Sequence, residues 1–167
     1  MNIFPTDRSA FASAMALDDK RVVRQASEAV IILSTAVHSI CGVSPYKPHQ
    51  PQHKLIRWMC AAPENLLWSY NYALGCNLEY TGRYKRECVS YPLLLTMAPA
   101  VQDFFEGAAM CTDQCAGFAN CASNKALSLD FTGTADTIVA YRDYLRARWE
   151  RDTRPPTWTG REAPTWR

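Results

Sequence analysis

Lys20, Arg21, Arg24 and Glu28 are the residues whose types and spacing best suit chemistry in this chain. In a helix, Lys20, Arg24 and Glu28 stand at i, i+4 and i+8 and share one face, with Arg21 beside them. Cations suit a phosphate backbone, and a single carboxylate among them suits proton transfer or stabilisation of a developing cation. The same pattern also fits a solvated face laced by Arg–Glu pairs. A second cluster, Glu79-Tyr80 followed by Arg83-Tyr84-Lys85-Arg86, can grip and stack a nucleotide, or can be an amphipathic helix end with cations favoured near its C-terminus. A third run, Tyr141-Arg142-x-Tyr144-x-Arg146-x-Arg148-Trp149, spreads its charges around a helix, with Arg142 the best binding candidate.

His38, His49 and His53 show no metal-ligand spacing on a common element; His53 opens a helix ahead of Arg57 and Trp58, where it can sit near a phosphate. Cys111, Cys115 and Cys121 lack the tight paired spacing of zinc sites and the density of iron–sulfur runs. They suit a packed turn of small apolar residues better than a metal site. No glycine loop can cradle a phosphate, and no nucleophile elbow is present. The expectation is therefore a site with no metal and no cofactor.

The elements that must position these residues are helical. A helix over Arg8–Leu17, with Asp7 as its cap, precedes a main helix over about Asp18–Cys41, whose inner stripe includes Val22, Val23, Ala26, Val30, Leu33 and Val37 and which Gly42 stops. Three prolines make 43–52 an extended loop, and a short helix covers about His53–Cys60. Pro63 starts a second long helix to about Glu87, with Leu66, Leu67, Tyr70, Leu74, Leu78 and Tyr84 as its apolar stripe. Pro92 and Pro99 break the next region into short pieces. Ala108–Ser123 reads as a short helix or a compact loop, and Thr134 or Asp136 caps a final helix to about Arg151. Residues 151–167 form an extended Pro- and Trp-rich tail docked by its tryptophans. No alternating strand pattern stands out. The fold expected is all-α: one compact domain over 1–167 with two long helices and several short ones.

A chain that is 48% hydrophobic can build a sizeable core, and its net charge of +2 gives no global basic field, so nucleic-acid binding must come from a local patch. No apolar stretch is long enough to span a bilayer, and Asp7 and Arg8 interrupt the place of a signal-peptide core. Seven cysteines without such a signal suggest reduced thiols, and the odd number argues against a full disulfide framework.

The start Met1-Asn2-Ile3-Phe4 with Asp7, then Asp19-Lys20-Arg21-Val22-Val23 and Glu28, resembles a group of small phage proteins. In that group the helix usually reads Cys-Asp-Lys-His-Val-Val-Lys-Met followed by Glu. The likeness continues through His53, Trp58, Asn65, Trp68, Glu79-Tyr80 and Arg83-Tyr84, and returns at Ala140-Tyr141-Arg142, Tyr144 and the closing Pro-x-Trp elements. The helix motif is also similar to that of the pyrimidine-dimer DNA glycosylases, the family of endonuclease V of T-even phages. There an Asp-Gln-His-Leu-Met run is followed by a catalytic glutamate seven residues after the histidine; here Arg21 holds the histidine position and Glu28 follows at the same distance. This chain differs in having Arg21 for His, Asp18 for the usual Cys of the phage group, and Asn2 where the glycosylases expose a Thr.

The resemblance implies an all-α enzyme without metal, whose terminal amine attacks sugar C1′ while the glutamate handles protons and the developing sugar cation. Glu28, with Met1 or Asn2 supplying the amine, is then the catalytic set. Asp7, Asp19, Lys20, Arg21, Arg24, His53, Arg83, Tyr84 and Arg142 are the expected substrate-binding set, with Arg83 closing the pocket from the second long helix. The implied function is DNA-glycosylase-like excision at a damaged or modified pyrimidine, with DNA as partner, no membrane, and the cytoplasm of a bacterial host as location. A transferase that elaborates hydroxymethylated pyrimidines in phage DNA, or a non-enzymatic module that binds nucleic acid or a host protein, fits the same residues.

Overall fold

The computed structural model describes residues 2–106 and 117–167. Met1, Cys111, Cys115 and most of the expected Ala108–Ser123 segment lie outside them. The described chain is mostly helical: α1 (Ala10–Met15), α2 (Asp19–Cys41), α3 (Lys54–Ala61), α4 (Pro63–Tyr84), α5 (Tyr91–Thr96), α6 (Ala98–Glu106) and α7 (Thr137–Glu150). Two short strands, β1 (Ser123–Asn124) and β2 (Leu129–Asp130), form an antiparallel ladder that pairs Ser123 with Asp130 and Asn124 with Leu129. Strands of this length show no period in sequence, which is why the ladder was not anticipated.

Local chemistry sets the helix limits. Ser9, rather than Asp7, caps α1, accepting from the Ala12 amide; Asp7 braces the cap by accepting from the Ser9 amide at 2.9 Å. Gly42 ends α2 in the left-handed region at φ +75°, returning its amide to the His38 carbonyl. Pro63 opens α4 as expected, but α4 stops at Tyr84, short of Glu87. Lys85 turns left-handed there at φ +56°, with its ammonium on the Gly82 carbonyl at 2.7 Å. His53 caps α3 through Nδ1, and Asp136 caps α7 through its carboxylate.

Helices α2 and α4 pack along each other, and α1 lies against α4. That approach requires Gly75: a Cβ there would meet Ala14 Cβ at 2.9 Å. The α2 stripe is buried as expected from Val22 to Val37, except that Val23 is 46% exposed. The buried face of α4 is rotated away from the expected stripe. Leu78 is exposed, while Ser69, Asn77, Glu79 and Arg83 are buried. Each of these residues is hydrogen-bonded, although Asn77 Oδ1 is buried without a partner. Asn77 donates to the carbonyls of Ala26 (2.9 Å) and Ala73 (2.8 Å), and Ser69 donates to Asn65. Counting apolar residues alone cannot find such a face.

Arg83 and Glu79 form the hub that fastens the tail. Arg83 binds Glu79 at 2.9 Å, Asp19 at 3.0 Å and the Leu17 carbonyl at 2.9 Å. Arg161 also donates to Glu79, through Nε at 2.8 Å to Oε2, the oxygen that Arg83 uses, and through Nη2 to Oε1. Thr157 and Thr159 place their hydroxyls on Asp19, each at 2.8 Å. Trp158 bonds the Ala16 carbonyl and packs edge-on against Trp149, on which Trp166 stacks. The tail is thus docked by its tryptophans, with turns at 158–161 and 164–167 in place of a continuous extended run. The side chains of Arg83 and Glu79 are 3% and 9% exposed, so removing one partner strands the other charge. Arg83→Met is expected to cost about 3–5 kcal/mol in urea denaturation, and Arg161→Ala markedly less because its side chain is 34% exposed.

Candidate active site

A cleft of about 520 Å³ opens where the N-terminal segment, the first turns of α2, the start of α3, the segment before β1 and the end of α7 meet. Glu28 lines it. Its Oε1 accepts from the backbone nitrogen of Asn2 at 3.3 Å, and its Oε2 accepts from Gln25 Nε2 and from Arg24 Nε, each at 3.2 Å. The carboxylate is partly buried, and the Arg24 side chain is 79% exposed at the rim.

Asn2 is held through every polar group it has. Its nitrogen meets Glu28; its carbonyl accepts from Gln25 Nε2 at 3.2 Å; its side-chain amide donates to the Cys121 carbonyl at 3.1 Å; its side-chain oxygen accepts from the Tyr141 hydroxyl at 2.7 Å. Two buried tyrosines orient this set. Burial pushes the phenol of Tyr72 well above its ordinary value and raises that of Tyr141, so both remain proton donors. Tyr72 donates to Gln25 Oε1 at 3.2 Å, which turns the Gln25 amide so that its NH₂ reaches Asn2 and Glu28. Tyr141 bridges Asn2 to the Cys121 amide.

The expected cationic face is divided. Arg21 is buried and gives Nη1 to both Asp18 and Asp152, each at 2.9 Å. Lys20 lies 2.6 Å from Asp152. All three cations thus meet carboxylates of the protein; Lys20 and Arg24 are exposed, and of these two Arg24 lines the cleft, paired with Glu28. His53 lines the cleft, but its Nδ1 accepts from the Leu55 amide, which places the proton of the neutral ring on Nε2. Burial lowers its pKa, in keeping with that neutral form.

The remaining candidates stand elsewhere. Asp19, Arg83 and Tyr84 belong to the hub under the tail, and Arg83 does not close the cleft. Asp7 and Arg142 line a separate hollow beside Trp166; Arg142 bonds the Thr6 carbonyl at 2.8 Å and lies 3.8 Å from Asp7. Sequence reasoning missed Gln25, and it singled out Tyr141 and Arg148 only as members of the third cationic run, not as site residues. Gln25 stands three residues before Glu28 on the same helical face, so spacing alone could have found it. Tyr141 is separated from Asn2 by 139 positions and gives no such signal.

Among the described residues no three His, Cys, Asp or Glu side chains converge as metal ligands, and Cys41, Cys60, Cys76, Cys88 and Cys121 are free thiols. No described helix is long and apolar enough to cross a membrane. Comparison with protein-family models, with curated proteins and with solved structures gives no match.

Tyr141→Phe is expected to cost roughly 1–3 kcal/mol, because the Asn2 oxygen and the Cys121 amide lose their partner. Hydrogen exchange at the Asn2 amide should then accelerate more than exchange in the centre of α4. A pH dependence follows from Asp152 and Asp19. Burial opposes ionisation of both, but donors outweigh it: Lys20 and Arg21 at Asp152, and Thr159, Thr157 and Arg83 at Asp19. Their folded pKa values lie below the unfolded value of about 3.9. The stability they contribute is fully present above that value and is lost as pH falls through the folded ones. Urea midpoints should therefore drop below about pH 4, and Asp152→Asn should flatten that drop.

Proposed function

We propose that the cleft excises a base from a damaged or modified pyrimidine nucleotide in DNA, by chemistry like that of a DNA glycosylase. The observation that carries this reading is the Asn2 backbone nitrogen held 3.3 Å from the Glu28 carboxylate. Glu28 is the residue that the resemblance to the pyrimidine-dimer glycosylases marks as catalytic. The nucleophile is the α-amine of Met1 or, once Met1 is removed, of Asn2. On this reading the chain is a single compact all-α domain that works on DNA in the cytoplasm of a bacterial host, without a cofactor.

The steps follow from the groups present. The neutral amine attacks C1′ of the sugar, and the bond from C1′ to the base breaks, its electron pair leaving with the base. The amine gives up a proton to Glu28. The ring C1′–O4′ bond then opens, its electron pair going to O4′, as the nitrogen lone pair forms the imine. O4′ takes a proton that Glu28 can return. While the base departs, the carboxylate also stabilises positive charge on the sugar. Gln25, held by Tyr72, keeps Glu28 and the Asn2 backbone in one arrangement, so no reorganisation is needed as charge develops. Arg24 at the rim meets a backbone phosphate.

Borohydride reduction in the presence of abasic DNA or modified-pyrimidine DNA should trap a covalent complex whose peptide map ends at the N-terminal residue. Glu28→Gln should abolish turnover while leaving DNA binding within about twofold, and Arg24→Ala should reduce the salt slope of binding by about one. Absence of any trapped complex on these DNAs, together with an unchanged biological effect of Glu28→Gln, would remove the enzymatic reading.

A further inference from the structure

Two guanidinium groups in the cleft keep nitrogens that the protein leaves without a hydrogen-bond partner. Arg21 spends Nη1 on Asp18 and Asp152, but its Nη2 is buried and unbonded, on a side chain only 6% exposed. Arg148 gives Nη1 to the Tyr144 hydroxyl at 2.9 Å and lies over that ring, while its Nε is buried and unbonded. Both residues line the same cleft as Glu28. The ends of α2 and α7 that carry them are joined through Asp18, which accepts from Arg21 and, at 2.8 Å, from Trp149 Nε1.

A buried guanidinium N–H without an acceptor is costly, and the groups that satisfy such donors best are anions with several oxygens. Carboxylates of the protein already hold the other side of Arg21, so its remaining donor is fixed in direction. Arg21 precedes Glu28 by two turns of α2, about 10 Å along the axis, so the two residues stand on the same side of the helix. The cleft lies within the roughly 300–1,000 Å³ range of small-ligand sites. Asp18 and Asp152 already neutralise much of Arg21, so the two unpartnered donors, and not net charge, place the phosphate at the Arg21–Arg148 end.

We propose that Arg21 Nη2 and Arg148 Nε form a seat for one phosphate of the nucleotide whose sugar meets Glu28. The inference rests on reading the cleft as a nucleotide site, but it concerns binding and requires no turnover. The phosphate can belong to a free nucleotide or to a strand.

The test uses the full chain with thymidine, thymidine 5′-monophosphate and a short single-stranded oligothymidylate. Affinities are measured by calorimetry, and the arginine Nε–Hε signals are followed by NMR. The monophosphate or the oligonucleotide should bind at least about tenfold more tightly than thymidine and should shift the Arg148 Nε–Hε signal. Arg148→Gln should abolish that advantage while thymidine binding is unchanged. Arg21→Lys, which keeps a cation against Asp18 and Asp152, should also reduce it. An Arg148-dependent gain for the monophosphate assigns the seat to a free nucleotide, and a gain confined to the oligonucleotide assigns it to a strand; either upholds the proposal. It is overturned if thymidine and both phosphate-bearing probes bind alike, if none binds, or if the gain survives in folded Arg148→Gln protein, with water then the partner of these nitrogens. Covalent trapping can succeed without the seat, and the seat can bind phosphate where trapping fails, so the two readings fall separately.

Discussion

Asp18 and Asp19 stand side by side where the chain turns into α2, and their carboxylates bind different parts of the molecule. Asp18, 1% exposed, takes Arg21 from its own helix and Trp149 from α7. Asp19 takes Arg83 from α4 and two threonines from the tail. One pair of adjacent acids thus ties the start of the longest helix to the second long helix, the last helix and the C-terminal segment. Because Asp18 uses its carboxylate on these partners, it makes no side-chain cap on α2. The helix start is held by tertiary ion pairs and by the Asp19 amide on the Thr157 carbonyl instead.

That arrangement changes what the cations at the start of α2 are for. Read as a helix face, Lys20, Arg21 and Arg24 are equivalent donors to a phosphate backbone. In the fold they differ by burial and by partner. Arg21 is an internal cross-link with one donor left over, Lys20 covers Asp152, and Arg24 alone projects to the rim beside Glu28. A buried pair of this kind is held as much by the cost of separating it as by its attraction. It orients Arg21 while adding little net charge to the cleft.

Local signals were legible in the sequence because they act over a few residues. Gly42, Pro63 and the Asp136 cap marked helix ends, and the tryptophans of the tail marked its docking. The Glu28 face of α2 was legible too, since spacing along one helix puts Glu28, Arg24 and Gln25 together. The buried face of α4 was hidden because Asn77, Glu79 and Arg83 look like surface residues until their partners are known. The roles of Tyr141, Cys121 and Arg148 were hidden for another reason. Tyr141 and Cys121 reach Asn2, and Arg148 reaches the cleft, only through the packing of α7 and the segment before β1, a relation with no short-range trace.

The anchoring of Asn2 has a consequence for how the chain acquires its site. Asn2 is synthesised well before two of its partners, Cys121 and Tyr141, which follow 119 and 139 positions later. Contacts of such separation form after local helices, because closing the intervening loop costs entropy before any bond is gained. During synthesis α2 can present Glu28 and Gln25 while the backbone nitrogen of Asn2 still lacks its side-chain anchors. Completion of the cleft then waits for Cys121 and α7, and a nascent polypeptide that lacks them carries the acid without the fixed Asn2 segment beside it.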